Sequence, residues 1–265
     1  MTEKTLNNRK NGMVVLLLLV LAYVASVVLF IFGVSYDILP LTLISCVWFV
    51  FGWIFFLGLK VLKPQEALVL TLFGKYVGTL KNSGFYFVNP FCTAVNPAAG
   101  TKLNQSGDVK VLGAKQPSGG ADISIDIPTK KISLKIMTLN NNRQKINDCL
   151  GNPVEIGIAV MWRVVDTAKA VFNVDNYKEY LSLQCDSALR NIVRIYPYDI
   201  APNVDTTGDG IADEGSLRGS SEVVAARIKD EIQDKVSEAG IEILEARITY
   251  LAYAPEIAAV MLQRQ

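Results

Sequence analysis

A polar, basic start (residues 1–12) gives way to a long run of apolar residues. "MVVLLLLVLAYVASVVLFIFGV" (residues 13–34) carries no charge and is long enough to cross a hydrocarbon core of roughly 30 Å as a helix. After "SYD", a second charge-free run covers residues 38–59, with Pro40 near its start, where a missing amide donor costs little. So short a turn joins the two spans (13–34 and 38–59) into a helical hairpin, residues 13–62, with both ends on one side of a bilayer. A cleaved leader fits less well, because the first apolar run is too long for a signal core.

Beyond residue 62 the pattern becomes that of a globular domain. "ALVLTLF" (67–73) and "GFYFVNPF" (84–91) read as strands, ended by Gly74 and by Asn89-Pro90. Residues 96–128 are rich in Gly, Pro, Ser, Asn and Lys and read as an excursion between strands. "KISLKIMTL" predicts a strand with Ile132, Leu134 and Ile136 on one face. "PVEIGIAVMWRVVD" predicts a longer one, with Val154, Ile156, Ile158, Val160, Trp162 and Val164 inward. Asn176 and Glu179 have capping-box spacing before an apolar stripe of Tyr177, Leu181, Ala188, Leu189, Ile192 and Ile195. A second helix is expected over 221–239, with Val224, Ile228, Ile232 and Val236 inward and Gly240 as its stop. "IEILEARITYLAY" alternates with Leu244, Ala246, Ile248 and Tyr250 on one face, and Pro255 opens a last helix. Strands first and helices later give an α+β domain over 63–255, with residues 256–265 starting a C-terminal helix.

Charge sets the orientation of the hairpin. Lys4, Arg9 and Lys10 precede the first span, Lys60 and Lys63 follow the second, and the turn holds only Asp37. The positive-inside rule therefore puts the tail and the domain in the cytoplasm. Neither span is interrupted by an ionisable group, which leaves no proton or ion path within one hairpin. Ala22, Ala25 and Ser26 permit close helix contact. The net charge of +1 suggests no nucleic-acid surface.

The chain has no histidine, which removes His-dependent nucleophile arrangements and His-ligated zinc sites. The four cysteines are dispersed, with no CxxC pair, and read as free thiols of a reducing compartment. "DTTGDGIADE" tests poorly as a calcium loop. With Asp205 at position 1, Thr207, Asp209, Gly210 and Asp213 fall at positions 3, 5, 6 and 9, but position 12 is Ser216 rather than a bidentate glutamate. Arg190 and Arg194 with Tyr196 and Tyr198 suggest an anion site less well than a helix surface with half-buried rings. Lys130 and Lys131 near Ser133 lack any oxyanion-hole signature. No catalytic, cofactor or metal site is predicted.

Four segments in order, "FGKYVGTLKNSGFYFVNPF", "GNPVEIGIAVMWRVVDTAKAVF", "LRNIVRIYPYD" and "EARITYLAYAPEIAAVMLQRQ", together resemble the SPFH (band 7, prohibitin-homology) superfamily, which includes stomatin, prohibitin and flotillin. The bacterial type with an N-terminal membrane hairpin is the nearest in kind. The resemblance implies a membrane-proximal α+β domain of antiparallel strands and helices, without enzymatic activity or cofactor. It implies a homo-oligomeric ring or cage that organises membrane microdomains, with membrane lipids and a membrane-bound protease as partners. A small oligomeric membrane channel is the alternative. In the family the first strands lie against the bilayer. Phe85, Tyr86, Phe87 and Phe91 are therefore the candidates for membrane-proximal contact, the other reading of these rings being sheet core. Relatives continue into a long Ala/Glu-rich helix where this sequence ends at "MLQRQ"; the chain is expected to be part of a longer product or a member that assembles differently.

Overall fold

The computed structural model describes residues 2–6, 11–103, 109–111, 129–141, 143–199 and 215–257. These fall into two compact units, residues 2–96 with 129–133, and residues 97–128 with 134–265. The segment expected as one domain thus contributes to both.

The first unit opens with two helices, α1 (Gly12–Ser35) and α2 (Leu39–Phe51), the latter continued by a 3-10 segment, Gly52–Gly58. Their outward faces are apolar and exposed at Leu17, Leu18, Leu21, Ile44 and Val47 among others, as a bilayer demands. Ser26 and Ser45 are buried, and their hydroxyls donate back to the carbonyls of Tyr23 (2.7 Å) and Leu41 (2.8 Å). Of the small residues expected at helix contacts, Ser26 is buried, Ala22 half-buried and Ala25 exposed. The second apolar run ends as a strand: β1 (Leu59–Leu62) starts on the residue after Gly58. Hydrophobicity alone cannot separate the end of a span from a buried strand.

β2 (Glu66–Leu72) and β3 (Lys75–Leu80) form a hairpin. β4 (Gly84–Phe87) runs back antiparallel to β1, and β5 (Thr93–Ala94) pairs with β2. β6 (Thr101–Leu103) and β7 (Val109–Val111) pair within the second unit, whereas β8 (Ile132–Ser133) belongs to the first and adds to β2. Leu62, Leu68, Leu70, Leu80, Tyr86, Val88 and Cys92 form the core of this sheet assembly. Its outer edge at β3 is covered by the N-terminus. Thr5 bridges Thr79 in parallel, Thr79 N–H donates to Lys4 O (2.8 Å) and Leu6 N–H donates to Thr79 O (2.9 Å). A Glu3–Lys81 ion pair (2.6 Å) holds the same segment.

In the second unit, β9 (Met137–Asn140) and β10 (Gln144–Asn147) pair along one edge of β11 (Pro153–Val164), and β12 (Ile241–Tyr253) pairs along the other. All six residues predicted to face inward on β11 are buried. The nine-residue strand expected over 131–139 is broken. Ile132 is fully buried in β8, but Ile136 is 60% exposed, and the chain re-enters a sheet only at Met137. On β12 the predicted alternation also fails. Leu244 and Thr249 are extra residues at two register shifts opposite β11. Each shift turns the following side chains over, so Ala246 and Ile248 keep the face of Ile241 and Ile243 while Tyr250 takes the opposite one, under the Arg143 guanidinium (3.6 Å).

The helices are α3 (Thr167–Phe172), α4 (Tyr177–Val193) and α5 (Ser221–Val236). The Asn176 side chain accepts from Lys178 and Glu179 N–H, as the capping pattern predicted. Ile195 lies beyond the end of α4 and is 38% exposed, so it drops out of the expected stripe. The inward residues predicted for α5 are all fully buried. After a 3-10 turn the chain reverses at Gly240 (φ +66°), where an added Cβ would collide with the Asp166 carbonyl. Antiparallel strands with helices establish the expected α+β class, following two apolar N-terminal helices.

Candidate membrane-proximal interface

The junction between the spans and the sheet contains no linker. β1 leaves Gly58 directly, and β4 returns to it, so that Val88 N–H donates to the Gly58 carbonyl (2.9 Å). Successive residues on β4 point to opposite faces, and this sorts the four predicted aromatics. Tyr86 turns into the core, 3% exposed, with its hydroxyl donating to Asn82 O (2.9 Å). Its ring is sheet core, so it drops out as a contact candidate. Phe85 and Phe87 take the other face and are half-buried. Each rests on a glycine at the end of a span: a Cβ at Gly12 would lie 2.7 Å from the Phe85 ring, and one at Gly58 would lie 2.8 Å from the Phe87 ring.

Phe91 is separate from these. It is 58% exposed and stacks on Phe73 (centroids 6.4 Å apart, planes at 24°), which is 87% exposed. The sequence reading passed over Phe73. It lies in the two-residue β2–β3 turn with Gly74, and both adopt positive φ (+47° and +82°). That conformation suits the right-handed twist of a hairpin but favours Asn or Gly, so a bulky aromatic before glycine was the available signal.

The other chemical candidates are not assembled. Lys131 Nζ is paired with Glu66 (3.0 Å). Partial burial alone would raise the Glu66 carboxyl, but Lys131 and Lys63 bring it below its ordinary value. Arg190 donates to Gln144 Oε1 (3.2 Å), Tyr196 is buried beneath the Arg227 guanidinium, and Tyr198 packs on Tyr253 (3.9 Å). Arg190, Tyr196 and Tyr198 thus each meet a different neighbour. Residues 205–214 of the tested calcium loop lie outside the described residues; Ser216 is buried and its Oγ accepts from Gly219 N–H (2.8 Å). The four cysteines are free thiols. Burial pushes the Cys92 and Cys185 thiols up, away from the reactive thiolate form. Among the described residues no cluster of three metal-ligating side chains is found.

The profile of the SPFH domain / Band 7 family matches residues 60–265. The chain belongs to the SPFH / Band 7 family. No curated protein matches the chain. Members of the family are in general membrane-associated scaffolds without catalytic activity of their own, and the two apolar helices ahead of the matched region agree with that association. The match to the SPFH domain begins at Lys60, inside β1. Anchor and domain therefore meet within a single strand.

Proposed function

We propose that this SPFH protein is a membrane-anchored, homo-oligomeric scaffold of the inner membrane, with its domain in the cytoplasm. It would organise membrane microdomains and regulate membrane proteins such as membrane-bound proteases. The observation that carries this reading is the span-to-sheet junction at Gly58, where a strand of the domain begins with no intervening linker. A sheet tied in this way stays at the membrane surface, where it can touch neighbouring copies and the extramembrane parts of other membrane proteins. The N-terminal segment on β3 supports the hairpin, since residues 2–6 and the sheet must share one side of the bilayer to pair. Lys4, Lys60 and Lys63 on that side favour the cytoplasm.

Sidedness is tested by labelling single cysteines in intact cells with a membrane-impermeant maleimide, in a chain otherwise free of cysteine. Cysteines introduced at Glu3 and at Glu256 should label only after lysis, and one at Asp37 should label before it. Labelling of Glu3→Cys or Glu256→Cys in intact cells would overturn the cytoplasmic reading.

A further inference from the structure

Strand β12 is an edge of its sheet: among the described residues it pairs with β11 alone. Which of its backbone groups face outward follows from the register. Asn141 N–H donates to the Ile158 carbonyl (2.8 Å), so Ile158 aims its amide and carbonyl at β9, and Ala159 aims its own at β12. Arg247, opposite Ala159, therefore bonds to β11, and its neighbours Ala246 and Ile248 present their backbone groups to the open edge. Groups presented in this way are a template for another strand. At the start of β12 the template is already filled. The Gln233 side chain of α5 accepts from Ile243 N–H (2.7 Å) and donates to the Ile241 carbonyl (3.1 Å), as a paired strand would. From Leu244 to Ile248 no group among the described residues takes that place.

The same stretch is one wall of a cleft of about 520 Å³, and α5 is the other. Leu244–Ile248 covers about 17 Å of strand, room for a short extended peptide. Glu222, Ala226, Lys229 and Gln233 recur at helical spacing on one side of α5; the first three line the cleft and Gln233 closes its end. Ala225, Ala226 and Ala246 leave space on its floor for an incoming side chain. Measured back from Gln233, Lys229 is about 6 Å along the helix and Glu222 about 17 Å. At about 3.3 Å per strand residue, this brings them level with Leu244 and Arg247. Glu245 and Arg247 are paired with each other, whereas Lys229 has neither an ion pair nor a hydrogen bond among the described residues.

We propose that this cleft binds the extended C-terminal tail of a partner protein as an added antiparallel strand, with the terminal carboxylate at Lys229. Direction decides which end is held. An antiparallel strand runs from Ile248 toward Leu244, where Gln233 already occupies the pairing positions. Pairing ends there, beside a cation without a partner, and a C-terminus carries the anion that answers it. The parallel orientation would bring the carboxylate to Glu222 and an amino terminus to Lys229, both repulsive. Backbone pairing to Ala246 and Ile248 supplies affinity, and the alanine floor selects a compact apolar side chain at alternate positions. The inference goes beyond the scaffold reading: it needs the fold of the second unit, and neither assembly nor a bilayer.

The test uses the full chain in nanodiscs and a library of dye-labelled heptapeptides, randomised in their C-terminal half and ending in a free carboxylate. Selected peptides, measured by fluorescence anisotropy, should prefer apolar residues at alternate positions. Amidating their terminus, or the change Lys229→Glu, should weaken binding at least about tenfold, while Lys229→Arg keeps it. Methylating the peptide amide that meets the open edge should weaken binding as much, and methylating the next amide should not. Ala226→Trp, on the exposed side of α5, should fill the cleft and abolish binding. Selection of no peptide overturns the proposal, as does binding that ignores amidation, Lys229→Glu and Ala226→Trp. If peptides fail while Ala226→Cys cross-links to a second copy of the chain, the cleft is an interface between copies, which equally overturns it.

Discussion

Phe85 packs on Gly12 so closely that a Cβ there would lie 2.7 Å from the ring. Phe87, two residues on, does the same to Gly58 at the end of the second span. Strand β4 is thus fitted onto both spans at once, through the two side chains of its outward face. Close packing of this kind transmits position, so the orientation of the sheet on the membrane follows from that of the hairpin.

Replacing Gly58 with valine is expected to force the Phe87 ring and the Val88 carbonyl away from the span. Overpacking of this sort costs about 1–3 kcal/mol. Hydrogen exchange should show faster exchange at Val88 and in β1 and β4, with β11 and β12 unchanged. Unaltered protection in β1 and β4 would contradict the close fit.

Gly78 serves the N-terminal strand in the same manner. A Cβ there would stand 2.6 Å from Leu6 Cγ and 2.9 Å from Lys4 O. Gly78→Leu should expel residues 2–6 from the β3 edge and make them susceptible to limited proteolysis. The loss is expected to be about 1 kcal/mol, since two backbone hydrogen bonds and a partly exposed ion pair are given up while water replaces them. Leu6→Asp, which removes the Leu6 contact with the sheet core, should reproduce the proteolysis with Gly78 unchanged.

Those elements that declare themselves through a sustained period were legible in the sequence. Val154 to Val164 alternate without a break and are buried as read; Val224 to Val236 keep helical spacing and are buried likewise. What escaped depended on long-range pairing or on single-residue irregularities. β1 is concealed because Leu59 ends the apolar run and Val61 and Leu62 follow it with only Lys60 between. The N-terminal strand pairs with residues more than seventy positions away, and nothing in "TEKTL" announces it. Leu244 and Thr249 are ordinary strand residues whose bulges become visible only against the β11 register. At the candidate interface, clustering of Phe85, Tyr86, Phe87 and Phe91 was apparent, but their directions were not, because these follow from which strand β4 joins. Phe73 was overlooked because an exposed ring in a left-handed turn runs against both burial and turn preference.

Two changes probe the second unit. Trp162 is fully buried and meets Tyr177 edge-on (6.3 Å), so Trp162→Ala should cost about 3–5 kcal/mol. Asn176→Ala removes the cap of α4 and a bond to Thr101 Oγ1 (2.8 Å), for about 1 kcal/mol. Thermal unfolding in detergent should rank them in that order; a larger effect of Asn176→Ala would contradict the burial argument.

Alkaline pH provides an independent check on the same core. Burial pushes the Tyr177 hydroxyl up to about 12 from an ordinary value of 10. Between those values the unfolded chain loses the proton and the folded chain keeps it, so stability must fall as pH rises from 10 toward 12. The full loss is at most about 3 kcal/mol. The buried Cys185 thiol, raised in the same sense, begins the decline from its ordinary value near 9. Tyr177→Phe should flatten the slope above pH 10 and leave the part below it; an unchanged slope in denaturant titrations would show that Tyr177 is not buried in the fold.

The proposed scaffold role requires this SPFH protein to assemble on the membrane. Its most direct test is the mass and shape of the complex extracted in native nanodiscs, by mass photometry and negative-stain microscopy. The account predicts a ring or cage of many copies with density from the domains on one face of the disc only. Monomers or small oligomers with no closed assembly would contradict it.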